Sequence, residues 1–120
     1  YDLKVVLVNE KMSFVGRKVR LNDFRASGGG SLTYDLGLIN EEIFQTVYNI
    51  SKELGVICMG YDLVYDAKSE EYLIIEMSYG FSNEAQLSLG GHWDKNFTWI
   101  NKPLNAPQEI IKALVEKLEQ

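Results

Sequence analysis

The sequence predicts an α+β domain, an antiparallel sheet with its helices packed on one face. Three observations predict it. Runs rich in β-branched residues come in pairs joined by short polar turns, as in "LKVVLV" and "YLIIEMSY". Two stretches instead repeat apolar residues at helical spacing between capping residues. The order is two strands, a loop, a helix, two strands, a loop and a helix, without internal repeats, and 120 residues suffice for one domain's core but not two.

Residues 3–8, "LKVVLV", and "MSFVGRKVR" after the polar "NEK" form the first predicted hairpin. A three-residue loop places Lys4 opposite Gly16, and a two-residue loop places it opposite Arg17. Either way Lys4 lies beside the basic end of the second strand. "NDFRASGGGS", residues 22–31, follows. A triple glycine costs backbone entropy on folding, so it is either a slack linker or a loop whose amides approach something closely. The first helix starts at Asn40, a good N-cap, with Glu41 and Glu42 suited to the positive end. Ile43, Phe44, Val47, Ile50 and Leu54 then recur at helical spacing, and Gly55 ends the run. "VICMGYDLVYD" and "YLIIEMSY" are the second pair of strands, joined by "AKSEE". Residues 80–105 read as irregular, yet too aromatic for a solvated linker. The last helix begins near Pro107 and carries Ile110, Ile111, Leu114 and Leu118 on one stripe.

Composition narrows the function classes. A hydrophobic fraction of 46% and an aromatic fraction of 12% argue for a globular chain. The single cysteine excludes an internal disulfide, and Cys58, in "VICMG", reads as a small buried hydrophobe. No apolar run approaches the roughly 20 residues of a membrane span, and no signal-peptide pattern opens the chain. The expected setting is therefore the reducing cytoplasm. A net charge of −5 argues against a general nucleic-acid binder. Arg17, Lys18, Arg20 and Arg25 nevertheless crowd together, opposed only by Asp23. That patch reads equally as a small-anion site or as a strand edge charged against aggregation.

The second hairpin bears two acids. If Asp66 and Tyr72 close the loop 67–71, Val64 faces Ile74 and Asp62 faces Glu76, with all four on one face. Like charges directly opposed are destabilising, and both acids interrupt apolar runs. Something positive is expected between them, and a hard divalent cation shared with phosphate oxygens fits. The bland reading is a solvated outer face, or pairing with a nearby arginine. Carboxylates, a cationic stretch and a glycine loop together suggest a nucleotide-triphosphate site. In it Arg25 grips phosphate as a planar fork and the amides of Gly28, Gly29 and Gly30 come close to the substrate. "GGGSLT" lacks the Gly-Lys-Ser/Thr ending of a P-loop.

The segments "DLKVVLVNEKMSFVGRKVRLNDFRASGGGS", "GVICMGYDLVYD" and "YLIIEMSYG" resemble, in that order, the C-terminal half of ATP-grasp ligases of the ribosomal-protein glutamate ligase type. "EMSYGF" with "GGHWDKNFTW" is similar to ATP-grasp proteins associated with cell-surface polysaccharide synthesis. The resemblance covers about residues 2–100. It implies that residues 1–120 are the C-terminal subdomain of an ATP-grasp domain, without the small lobe and N-terminal domain. A piece cut from something longer would also begin, as here, at Tyr1 rather than methionine. Asp62, Glu76 and Ser78 become ligands of a Mg²⁺ that bridges ATP phosphates. Arg25 becomes the arginine that stabilises the acyl-phosphate stage, and Lys4 with Arg17 or Lys18 contact phosphate. Three features depart from the pattern: Lys4 replaces an arginine, and Ser27 and Ser78 stand where asparagines are usual.

The resemblance thus implies ATP- and Mg²⁺-dependent ligation of a carboxylate-bearing small molecule or sugar derivative to an amine or similar nucleophile, the isolated chain being inactive. Alternatives are a non-catalytic nucleotide-binding or interaction domain that keeps the fold, and a small α+β domain with no nucleotide history. His92 reads as a packed or surface residue more readily than as a base. Trp93 and Trp99 read as core more readily than as a sugar platform.

Overall fold

The computed structural model describes residues 2–18 and 32–119. Arg25, Ser27, Gly28, Gly29 and Gly30, assigned above to the phosphate loop, lie outside the described residues.

Strands β1 (Asp2–Val8) and β2 (Lys11–Arg17) form the first hairpin around Asn9 and Glu10. Both turn residues have positive φ, 49° and 65°. This is the mirror-image two-residue turn, whose twist matches that of its strands. Pairing resumes immediately at Val8 and Lys11, so Lys4 faces Val15 and Arg17 faces Asp2. That corrects both expected partners of Lys4. Lys4 and Arg17 still share a face, because Arg17 lies two residues beyond Val15.

Strand β3 (Leu32–Thr33) pairs with the end of β2, and a 3-10 turn, Leu36–Leu38, leads to helix α1 (Glu41–Leu54). Both predicted caps are present. The Asn40 side chain accepts a hydrogen bond from the Ile43 amide at 2.8 Å, and Gly55 is left-handed at φ 69°. Strands β4 (Cys58–Asp66) and β5 (Glu71–Ser78) form the second hairpin. The stretch read as irregular contains helix α2 (Asn83–Leu87) and strands β6 (His92–Trp93) and β7 (Trp99–Ile100). Helix α3 (Ala106–Leu118) closes the chain, with proline in its first turn. Among the described residues the sheet is antiparallel, in the order β5-β4-β1-β2-β6-β7, with β3 beside β2.

The α+β class is as predicted, but helices cover both faces of the sheet rather than one. Alternation along β1 explains this. Leu3, Val5 and Leu7 point to the first face, where they join Met12, Phe14, Met59, Tyr61, Leu63 and Trp93 under Ile43, Phe44 and Val47 of α1. Val6 and Val8 are equally buried on the second face, and Val8 packs with Cys58, Leu104 and Ala106 beside Ile110. A central strand apolar on both sides needs cover on both sides. Helix α3 docks through its first turns, so of the predicted stripe only Ile110 packs inward. Ile111, Leu114 and Leu118 are exposed.

Candidate functional site

Of the residues predicted to hold phosphate and cation, Lys4, Arg17, Asp62, Glu76 and Ser78 share the second face. Strand register builds that face in rows. Glu76, Asp62, Lys4 and Val15 form one row across β5, β4, β1 and β2, and Ser78, Gly60, Val6 and Ser13 form the next. Asp62 and Glu76 are therefore direct cross-strand partners, as predicted.

They reach that register by a different route. The turn is one residue shorter than expected, since Asp66 pairs with Glu71 rather than Tyr72. A β-bulge then leaves Ile75 without a partner and restores the expected pairing at Glu76. Between turn and bulge every pair is shifted. Val64 faces Leu73 and stays on the face of Asp62, whereas Ile74 faces Leu63 on the first side, which corrects the expectation that Ile74 pairs with Val64 and accompanies the acids.

The positive charge expected near the acids is present in the chain itself. Lys4 Nζ lies 2.9 Å and Arg17 Nη2 3.5 Å from Asp62 Oδ1, all three side chains being largely covered. Lys4 Nζ also donates to the Gly80 carbonyl at 3.4 Å. Its stem passes over Gly60, where an added Cβ would meet the Ser78 carbonyl at 3.0 Å and Lys4 Cδ at 3.7 Å. These two ion pairs engage Asp62 Oδ1, while Arg17 Nε is buried without a partner among the described residues.

Glu76 is exposed, with no ion pair among the described residues. Ser78 turns its hydroxyl to its own chain, accepting from the Gly80 amide at 3.3 Å. Lys18 is exposed just beyond β2. Among the described residues no group of three or more His, Cys, Asp or Glu side chains is arranged to hold a metal. Two carboxylates, of which only Glu76 is without an ion pair among the described residues, fit a Mg²⁺ held mainly by phosphate and water better than an all-protein cage.

Helix α2, inside the stretch read as irregular, roofs this face. Ser82 caps it by accepting from the Ala85 amide at 3.1 Å. Gln86, 1% exposed, accepts from the Ser13 hydroxyl at 2.5 Å, while its Nε2 and the Asn83 Oδ1 are buried without partners. A signal for this existed: Ser13 is the polar residue inside the otherwise apolar "MSFV".

The aromatic residues after α2 serve packing. Trp93 joins the first-face core and meets Trp99 edge-on at 5.0 Å between ring centres. His92 is buried, with Nδ1 2.7 Å from the Lys102 carbonyl. Burial raises the pKa of the Cys58 thiol, which keeps it protonated and unreactive. No helix among the described residues is long and apolar enough to cross a membrane. Comparison of the sequence with protein-family models and with curated proteins finds no match in either.

Proposed function

We propose that the second face is the phosphate and cation half of an ATP- and Mg²⁺-dependent ligase site that joins a carboxylate-bearing substrate to an amine or similar nucleophile. The observation that supports this best is the row Glu76–Asp62–Lys4 with Arg17 beside it, which sets two carboxylates and two cations on one surface. Two acids directly opposed across a hairpin are destabilising unless something offsets their charge.

In this reading a carboxylate oxygen of the substrate bonds to the γ-phosphorus of ATP as the bond to the bridging oxygen breaks. ADP leaves with that electron pair. The nucleophile then attacks the acyl carbon, phosphate departs, and the nucleophile's proton goes to solvent. Bound Mg²⁺ would neutralise phosphate charge. Asp62 and Glu76 would hold it, while Lys4, Arg17 and Lys18 would attract the phosphates. Arg25 would stabilise the charge that develops in transfer, and the amides of Gly28, Gly29 and Gly30 would approach the phosphates. The adenine pocket and its phosphate-binding lysines would come from a separate small lobe, and the reaction would take place in the cytoplasm.

The contact of Lys4 with Asp62 at 2.9 Å favours a second reading, a domain that keeps the fold while its charges neutralise each other. Paramagnetic Mn²⁺–ATP separates the two. If the cation binds as proposed, the amide signals of Asp62 and Glu76 broaden first, and Asp62→Asn with Glu76→Gln abolishes that selectivity. Affinity should be weak without the small lobe. Uniform broadening over the surface carboxylates would sink the ligase reading in favour of the second.

A further inference from the structure

We infer that Gln86 of α2 is an oxyanion-binding residue of this face, held by Ser13 so that its Nε2 reaches a phosphoryl or carboxylate oxygen. Three polar atoms are buried without a hydrogen-bond or ion-pair partner among the described residues, Arg17 Nε, Asn83 Oδ1 and Gln86 Nε2, while Asp62 Oδ1 has only its ion pairs with Lys4 and Arg17. All belong to this face or to the helix that covers it. An unpaired buried polar group costs about 1–3 kcal/mol, so three in one region make a site suited to a polar occupant.

Topology brings them together. Gly80, whose carbonyl receives Lys4, lies two residues before the cap of α2, so the chain passes directly from Lys4 to the roof. Asn83 and Gln86 are one helical turn apart and share a face of α2. Gln86 sits over Ser13, in the row of Val6 and Gly60. Lys4 lies in the adjacent same-face row one strand over, about 8 Å from Ser13, and Asp62 one strand further, about 12 Å away. A single phosphoryl or carboxylate group, with a hydrogen bond on either side, spans the gap between Gln86 and Lys4.

Chemistry selects the ligand class. Gln86 Oε1 is occupied by the Ser13 hydroxyl, which leaves the carboxamide its donor end. With Arg17 Nε also without a partner among the described residues and Lys4 in the next row, the donors on offer suit an oxyanion, while Asp62 and Glu76 balance Lys4 and Arg17 in charge. Asn83 Oδ1 is left to accept from a hydroxyl or bound water of the same ligand.

The inference rests on the proposed reading of this face and names its ligand-binding residue. The test follows the Gln86 side-chain amide signals while inorganic phosphate or acetate is added to the chain. A shift with phosphate alone identifies the phosphoryl oxygen, and a shift with acetate alone identifies the carboxylate substrate. Either supports the role, and Gln86→Met should then weaken that anion about tenfold. The second arm is thermal. Ser13→Ala with Gln86→Met removes both partners, so without anion the double variant should melt no lower than the parent. Silence of Gln86 towards both anions overturns the inference. A double variant melting several degrees lower does so too, because the pair would then be a structural tie. Mn²⁺–ATP broadening at Asp62 and Glu76 is read separately, so either proposal can fail while the other stands.

Discussion

The two faces of this sheet share the same strands and differ in what covers them. On the first, a fourteen-residue helix with both ends capped lies over apolar side chains of β1, β2 and β4, and Trp93 and Phe97 extend the packing. On the second, α3 covers one end with a small apolar cluster, while the five-residue α2 stands over charges and unpaired polar atoms. One backbone thus presents a surface optimised for burial and another that leaves polar groups unsatisfied. Regions of the second kind are where stability is given up for binding.

The largest expected effect tests the first face. Phe14 is fully buried and packs against Trp93. Phe14→Ala should cost about 3–5 kcal/mol in urea unfolding through the cavity it leaves. A loss under half of that would mean the first face is not the main core.

Asp62→Ala comes next. It leaves Lys4 and Arg17 largely covered and facing each other without their counter-charge, and should cost about 1–3 kcal/mol. Lys4→Met combined with Asp62→Leu should recover much of that loss, because the closer ion pair is then removed whole and only Arg17 keeps an uncompensated charge. Failure of the double variant to recover would mean the face is tied together more tightly than a binding surface requires.

Asn40→Ala removes the cap of α1 and should cost about 1 kcal/mol, lowering the melting temperature without touching anion binding. A change in the phosphate response of Gln86 would show instead that the two faces are coupled.

The smallest effect depends on pH and lies at the covered end of the second face. Burial alone would raise the Glu109 pKa. Hydrogen bonds from Lys11 and Asn9, with the charges of Lys11 and Lys112, outweigh burial and hold the carboxyl below its ordinary value. A carboxyl with a lowered folded pKa adds stability above its unfolded pKa and loses it as pH falls through the folded value. The parent should therefore melt about 2 °C above Glu109→Gln near neutral pH, and this margin should close in acid below the ordinary glutamate range. A margin that persists there would mean packing, not charge, holds α3.

What could be read from the chain alone was local. Helix α1 was legible at both ends because Asn40 and Gly55 act on amides and carbonyls within a few residues of themselves. The four main strands were legible because side-chain alternation is a property of each strand. The acid pair was also found, but by compensation: the expected loop was one residue too long, and the bulge at Ile75 absorbed the difference. Bulges have no reliable local code, since "LIIEM" satisfies a regular strand equally well.

Tertiary structure alone decided the rest. It paired Lys4 with Val15 and carried its ammonium, with Arg17, to Asp62 on a third strand. It placed helices on both faces because β1 became central and was buried on each side. It also turned five residues of an apparently irregular stretch into a helix whose Gln86 meets Ser13, a contact between positions 73 apart in the chain. Periodicity and caps are written within one turn or one pleat of the residues they govern, and the sequence suffices for them. Register across strands and the partners of buried polar groups depend on segments distant in the chain, so only the assembled fold determines them.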